Sequence, residues 1–182
     1  MILGGILMGI GILFGMHKQA DAQYQFPQET DRHEGTWLVW QHSHTYGRKY
    51  AKEIEPIWLK MTKALAPGER VHIVAYDQSA KKKIQAKLAD EGVYLDRVDF
   101  LLAKTNDVWS RDMGPMFVRD KNQQLKIVDF SFDGWGKKTP YRKDAALRKQ
   151  IAQEKGFPLV KVPGMVLEGG SRAETRWHFT SD

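Results

Sequence analysis

The chain contains no cysteine, so no thiolate nucleophile can act from within it and no disulfide can staple it. That absence says nothing for or against an oxidising compartment. There is also no nucleophile elbow, phosphate loop or dinucleotide-binding glycine pattern. His33, His42 and His44 lack a firm metal-ligand spacing, so no zinc centre is expected. The net charge is +6, but no aromatic-interleaved basic stripe accompanies it. Lys81 to Lys83, Lys137 and Lys138, Arg142 and Lys143, and Arg148 and Lys149 read mostly as solvated helical faces, and no nucleic-acid partner is expected. A long hydrophobic run is lacking beyond Ile2 to Phe14, which is short and glycine-rich for a membrane span.

What is present has the balance of one ordinary globular domain: 182 residues, 42% hydrophobic and 27% charged. The apolar Ile2 to Phe14 segment is followed by polar residues and by Ala20-Asp21-Ala22. This pattern predicts a signal peptide over residues 1–22, export to the periplasm or exterior with cleavage after Ala22, and no stable membrane partner once cleaved. An uncleaved membrane anchor is the alternative.

From Gln23 to Gly35 the chain reads as a lead-in loop, and the fold is expected to begin at Thr36. TWLVW (36–40) predicts a buried strand, and the three- and four-residue spacing of Ile54, Ile57, Trp58, Met61 and Leu65 predicts a helix from about Arg48 to Leu65. Val71 to Tyr76 predicts a second strand. A helix capped by Ser79 and stopped by Gly92 follows, then a third strand over Val98 to Ala103. MFVRD and LKIVDFSF, joined by a polar turn, form an expected hairpin. A basic helix from about Tyr141 to Lys155 and further strand sequence complete the pattern. Residues 36–103 and 114–167 share a similar grammar, which suggests a repeating α/β module.

The segment NDVWSRDMGP, Asn106 to Pro115, carries the most chemistry. A carboxylate at Asp112 can make two parallel charge-assisted bonds to a guanidinium or amidinium, and Trp109, three residues earlier, can add a stacking face. The plainer reading is a surface salt bridge between Arg111 and Asp112 with Trp109 in the core. Glu168-Gly169-Gly170 places a carboxylate before two glycines, as expected where backbone approaches a ligand or another strand closely; a simple turn is the alternative. Trp135, between Gly134 and Gly136, reads as a packed tryptophan in a turn, or as a hinge or pocket wall.

TWLVWQHS (36–43), NDVWSRDMGPMFV (106–118), FSFDGWG (130–136) and VLEGGS (166–171) resemble, in sequence and order, the N-terminal half of agmatine deiminases and Porphyromonas-type peptidylarginine deiminases. The resemblance covers about Tyr24 to Ser171. It implies a partial five-bladed α/β propeller, the pentein fold, built of ββαβ modules around a central substrate tunnel. It also implies hydrolysis of the guanidinium of agmatine or peptidyl-arginine to a ureido group and ammonia, by a cysteine nucleophile and a histidine, without a cofactor. By that resemblance Asp112 matches the catalytic, guanidinium-binding aspartate of the W-x-R-D-x-G-P motif. Trp109 matches a substrate-pocket wall, and Glu168 matches the glutamate of the E-G-G motif. The family's His-x-Asp element and nucleophilic cysteine have no counterpart among these residues.

Residues 23–171 are thus expected to form the N-terminal part of the deiminase domain. Arg172 to Asp182 depart from the family pattern, and one permissible codon spelling of them, read one base later, encodes a turn and strand of the expected kind. The expectation is a frameshifted tail on an inactive fragment, with a short paralogue or a split gene as alternatives. A non-catalytic guanidinium-binding module and a membrane-tethered structural fragment are the rival functions. Oligomeric state is not legible.

Overall fold

A computed structural model describes residues 24–28 and 30–171. The expected signal segment and the atypical tail lie outside the described residues.

Strands β2 (Gly35–Val39), β3 (Arg70–Ala75) and β4 (Val98–Leu102) pair in parallel in the order β2-β3-β4. A strand in a parallel sheet is covered on both faces, so its apolar residues run without polar alternation. Leu38, Val71, Ile73 and Ala75 pack with Ile84, Leu88, Trp58 and Met61, the inner residues of α1 (Ser43–Leu65) and α2 (Gln78–Asp90). Val39, Val74 and Leu101 face the other way. The Trp58 indole N–H donates to the Val39 carbonyl at 2.8 Å and ties α1 to β2.

A second, four-stranded sheet has the order β1-β5-β6-β7, with β1 (Tyr24–Gln25), β5 (Phe117–Asp120), β6 (Leu125–Ser131) and β7 (Leu159–Val166). The β5–β6 hairpin is antiparallel, whereas β6 and β7 are parallel and connected through α4 (Gly134–Lys137), α5 (Arg142–Ala145) and α6 (Leu147–Lys155). The two sheets share one core. Val39, Val74 and Leu101 from the first, with Ala103 just past β4, meet Ile127 from the second and Phe132 just past β6, together with Leu147, Ile151 and Ala152 of α6.

The molecule is therefore an α/β fold with one parallel and one mixed sheet. Both sheets are open among the described residues. The two similar stretches differ in topology: residues 36–103 form βαβαβ, and residues 114–167 form ββ-helices-β.

Four local expectations change. Tyr24 and Gln25 are not loop; they pair antiparallel with Asp120 and Arg119, an edge opportunity that local sequence does not reveal. The first turn of α1 starts at Ser43, and non-helical Gly47 (φ 83°, ψ 169°) separates it from the long helix. Asp77, not Ser79, caps α2: in an extended conformation its carboxylate accepts from the Ala80 N–H at 2.8 Å. The basic helix is split between α5 and α6.

FDGWGK makes a rarer turn. Gly134, Trp135, Gly136 and Lys137 have φ of 68°, 57°, 77° and 63°, so α4 is one turn of left-handed helix. Two non-glycine residues there cost roughly 1–2 kcal/mol each. The turn is held by the Lys137 N–H on the Asp133 carbonyl (2.8 Å), by the Gly136 N–H on the Asp133 carboxylate (2.9 Å) and by Trp135 packed edge-on to Phe132.

Candidate active site

The three parallel strands end together, and the loop that leaves β4 carries the motif. In open α/β sheets this carboxyl edge is where ligands bind. The loop is anchored at its start by polar groups, of which Thr105, Asp107 and Asp144 are buried. His42 Nε2 meets the Thr105 hydroxyl at 3.0 Å. The Asn106 and Asp107 N–H groups donate to Asp144 Oδ1 at 2.6 and 3.3 Å, and Asn106 Oδ1 accepts the Lys143 N–H at 3.0 Å. The Tyr46 hydroxyl donates to Asp107 Oδ2 at 2.6 Å, and Thr45 donates to the Asn106 carbonyl. Loop, α1 and α5 are thereby locked to one another.

These groups titrate abnormally. Burial raises the Asp144 carboxyl to about 6, against the opposing pull of its two backbone donors. Burial, then the nearby His44 and Lys143 charges, lowers His42 to about 4. The bond to Asp107 pushes the Tyr46 phenol up to about 12.

After this anchor, α3 (Ser110–Met113) makes a single turn, with the Asp112 and Met113 N–H groups donating to the Trp109 carbonyl at 3.0 and 3.1 Å. Met113 is buried and pins the turn to the shared core. Trp109 stands at the non-helical N-cap of this turn, and Asp112 lies three residues later within it. Trp109 is 54% exposed, which corrects the alternative that placed it in the core. An exposed indole can serve as a wall.

The E-G-G motif folds onto this turn. The Gly170 N–H donates to Asp112 Oδ1 at 3.2 Å. A Cβ at Gly169 would overlap the Arg111 carbonyl, and one at Gly170 would lie 2.9 Å from Asp112 Oδ1. Glycine is required at 169 because backbone meets backbone, the close approach that the sequence allowed for, whereas at 170 the backbone meets a side-chain carboxylate. Glu168, partly buried, immediately precedes this contact. The structure therefore brings together the W-x-R-D-x-G-P and E-G-G motifs, 58 residues apart between Asp112 and Gly170.

Two residues escaped the sequence reading. Asp144 is 1% exposed, inside a segment that looks like an ordinary charged helix start. Arg148, read as part of a solvated basic face, is also 1% exposed. Its N–H groups reach the carbonyls of Asp112, Gly114 and Phe130. The available signal was position: Leu147, Arg148, Ile151 and Ala152 form one buried stripe of α6.

Residues 25–174 match the model of the Porphyromonas-type peptidyl-arginine deiminase family. An agmatine deiminase of Stutzerimonas stutzeri is 31% identical over 153 residues, 81% of this chain and 40% of the relative. One of Pseudomonas aeruginosa is 28% identical over the same shares. Among solved structures, an agmatine deiminase variant of Campylobacter jejuni with substrate bound is similar at 28% identity and a TM-score of 0.71, covering 81% of this chain and 42% of that one. The chain spans about 40% of the length of the curated relatives it matches. Motif order, the contact between the W-x-R-D and E-G-G segments, and the match over residues 25–174 converge, and the chain belongs to the Porphyromonas-type peptidyl-arginine deiminase family.

Proposed function

We propose that this chain provides the guanidinium-recognising part of a deiminase site within a five-bladed propeller of which it forms the first modules. The substrate class is agmatine or peptidyl-arginine. The reaction is hydrolysis of the guanidinium carbon–nitrogen bond, in which water supplies the ureido oxygen and ammonia leaves. Asp112 receives two guanidinium N–H groups, Trp109 covers the planar face, and Glu168 lines the same pocket. One observation carries this reading: the Gly170 N–H donates to Asp112 Oδ1 at 3.2 Å, which joins the Asp112 carboxylate to the E-G-G motif.

The thiolate that the reaction needs is absent from these 182 residues, so the chain alone binds and does not turn over. Export with cleavage after Ala22 is part of the same proposal, and a mature N-terminus at Gln23 in a mass spectrum would support it.

Calorimetry with agmatine and with a peptidyl-arginine ligand tests recognition. Asp112→Ala should weaken binding at least about tenfold, since a charge-assisted pair contributes roughly 1.5–3 kcal/mol. Affinity unchanged by that substitution removes Asp112 from the site. Ureido product or ammonia released by the isolated chain would refute the division between binding and reacting parts. A second reading, a guanidinium-binding module without chemistry, is favoured by the cysteine-free composition and would give binding under every condition but no product when the rest of the site is supplied.

A further inference from the structure

Arg148 lies on the buried stripe of α6, where packing alone would select a hydrophobe. Its guanidinium donates from Nε to the Gly114 carbonyl at 2.9 Å, from Nη1 to the Phe130 carbonyl at 2.9 Å and from Nη2 to the Asp112 carbonyl at 2.7 Å. The guanidinium carbon sits 4.0 Å from the Phe130 ring centroid. A buried cation without a direct carboxylate partner is costly, and an apolar side chain of similar volume is often the more stable choice there. Among the described residues Arg148 has no direct ion pair; Asp129 and Asp112 act on it only through space.

Its partners explain the expense. Asp112 and Gly114 contribute carbonyls from the end of the one-turn helix α3, where no intrahelical donor remains. A planar fork can meet several such acceptors at once, and a lysine ammonium cannot reproduce its geometry. Burial lowers the Arg148 pKa to about 10, so the group stays charged at neutral pH. It therefore grips the Asp112 main chain from the core side while the Asp112 carboxylate faces Gly170.

We propose that Arg148 is a positioning residue for guanidinium recognition: by clamping the carbonyls of Asp112 and Gly114 it fixes the α3 turn and sets the Asp112 carboxylate against the Gly170 N–H. This rests on the proposed role of Asp112, but the clamp itself has a readout that needs no ligand. In Arg148→Lys, hydrogen exchange of the Gly170 amide should accelerate at least about tenfold while that of Val74, in the core of the parallel sheet, stays unchanged. Agmatine affinity measured by calorimetry should fall about tenfold or more, because small misplacements of a binding group are expensive. Arg148→Met, which removes the buried charge at similar length, should show the same local loosening.

Unchanged Gly170 exchange in either folded variant overturns the clamp. Equal acceleration at Gly170 and Val74, or failure of both variants to fold, makes Arg148 a support of the whole fold and overturns the local role. Should wild type not bind agmatine while Gly170 alone loosens in the variants, the clamp stands and the proposed function fails.

Discussion

His42 and Asp144 grip the same loop, one through Thr105 and the other through Asn106 and Asp107, yet they titrate in opposite senses. Asp144 is raised to about 6, so its contribution to stability is fully present below the ordinary carboxyl range and is lost as pH rises through about 6. His42 is lowered to about 4, so its contribution is present above 6.5 and is lost as pH falls through about 4. Between these limits the two slopes oppose each other. Calorimetric melting from pH 4.5 to 7 should therefore give a nearly flat profile for the wild type. Asp144→Asn should leave the His42 slope, with melting temperature rising with pH. A His42→Gln protein should show the reverse. Identical slopes in the two variants would contradict the assignment.

At the scale of elements, two turns do what helices and strands cannot. The Gly169–Gly170 turn lies against α3 so closely that a methyl group at 169 meets backbone and one at 170 meets the Asp112 carboxylate. Gly169→Ala should cost about 2 kcal/mol or more, in the range of strong backbone clashes. Gly170→Ala should cost less in stability but weaken agmatine binding, because a side-chain oxygen can move and a carbonyl cannot. Urea unfolding and calorimetry separate the two; equal stability losses would mean the turn does not sit as described. The left-handed turn α4 offers the opposite sign. Lys137 is exposed with φ 63°, and Lys137→Gly should stabilise the protein by about 0.5 kcal/mol, the relief of αL strain less the extra freedom of glycine when unfolded. A lower urea midpoint in that variant would argue against the left-handed conformation.

For the whole molecule, the decisive feature is the core shared by both sheets. Ile151 is fully buried between residues of the parallel sheet and of the mixed sheet. Truncating it should be felt on both sides. Ile151→Ala is expected to cost about 2–5 kcal/mol, and hydrogen-exchange protection of Val74 in the first layer should be lost together with that of Ile127 in the second. Separate transitions would show that the sheets fold independently.

Strand and helix order was readable from local sequence: TWLVW, VHIVAY and VDFLL are short β-branched and aromatic apolar runs of strand length, and the helices carry apolar residues at spacings of three and four. The glycines of LEGG likewise advertised a close approach, since little else tolerates one. Asp112 was legible as a guanidinium ligand candidate because its chemistry is contained in a short motif. Pairing and burial are different, because they depend on residues far away in the chain. Nothing near Tyr24 foretells the edge of β5, and nothing near Arg148 says that three carbonyls from two other segments await its guanidinium. An arginine costs the same in any local pattern. Only the assembled core, which removes it from water and surrounds it with acceptors, turns it from a surface charge into the group behind the Asp112 turn.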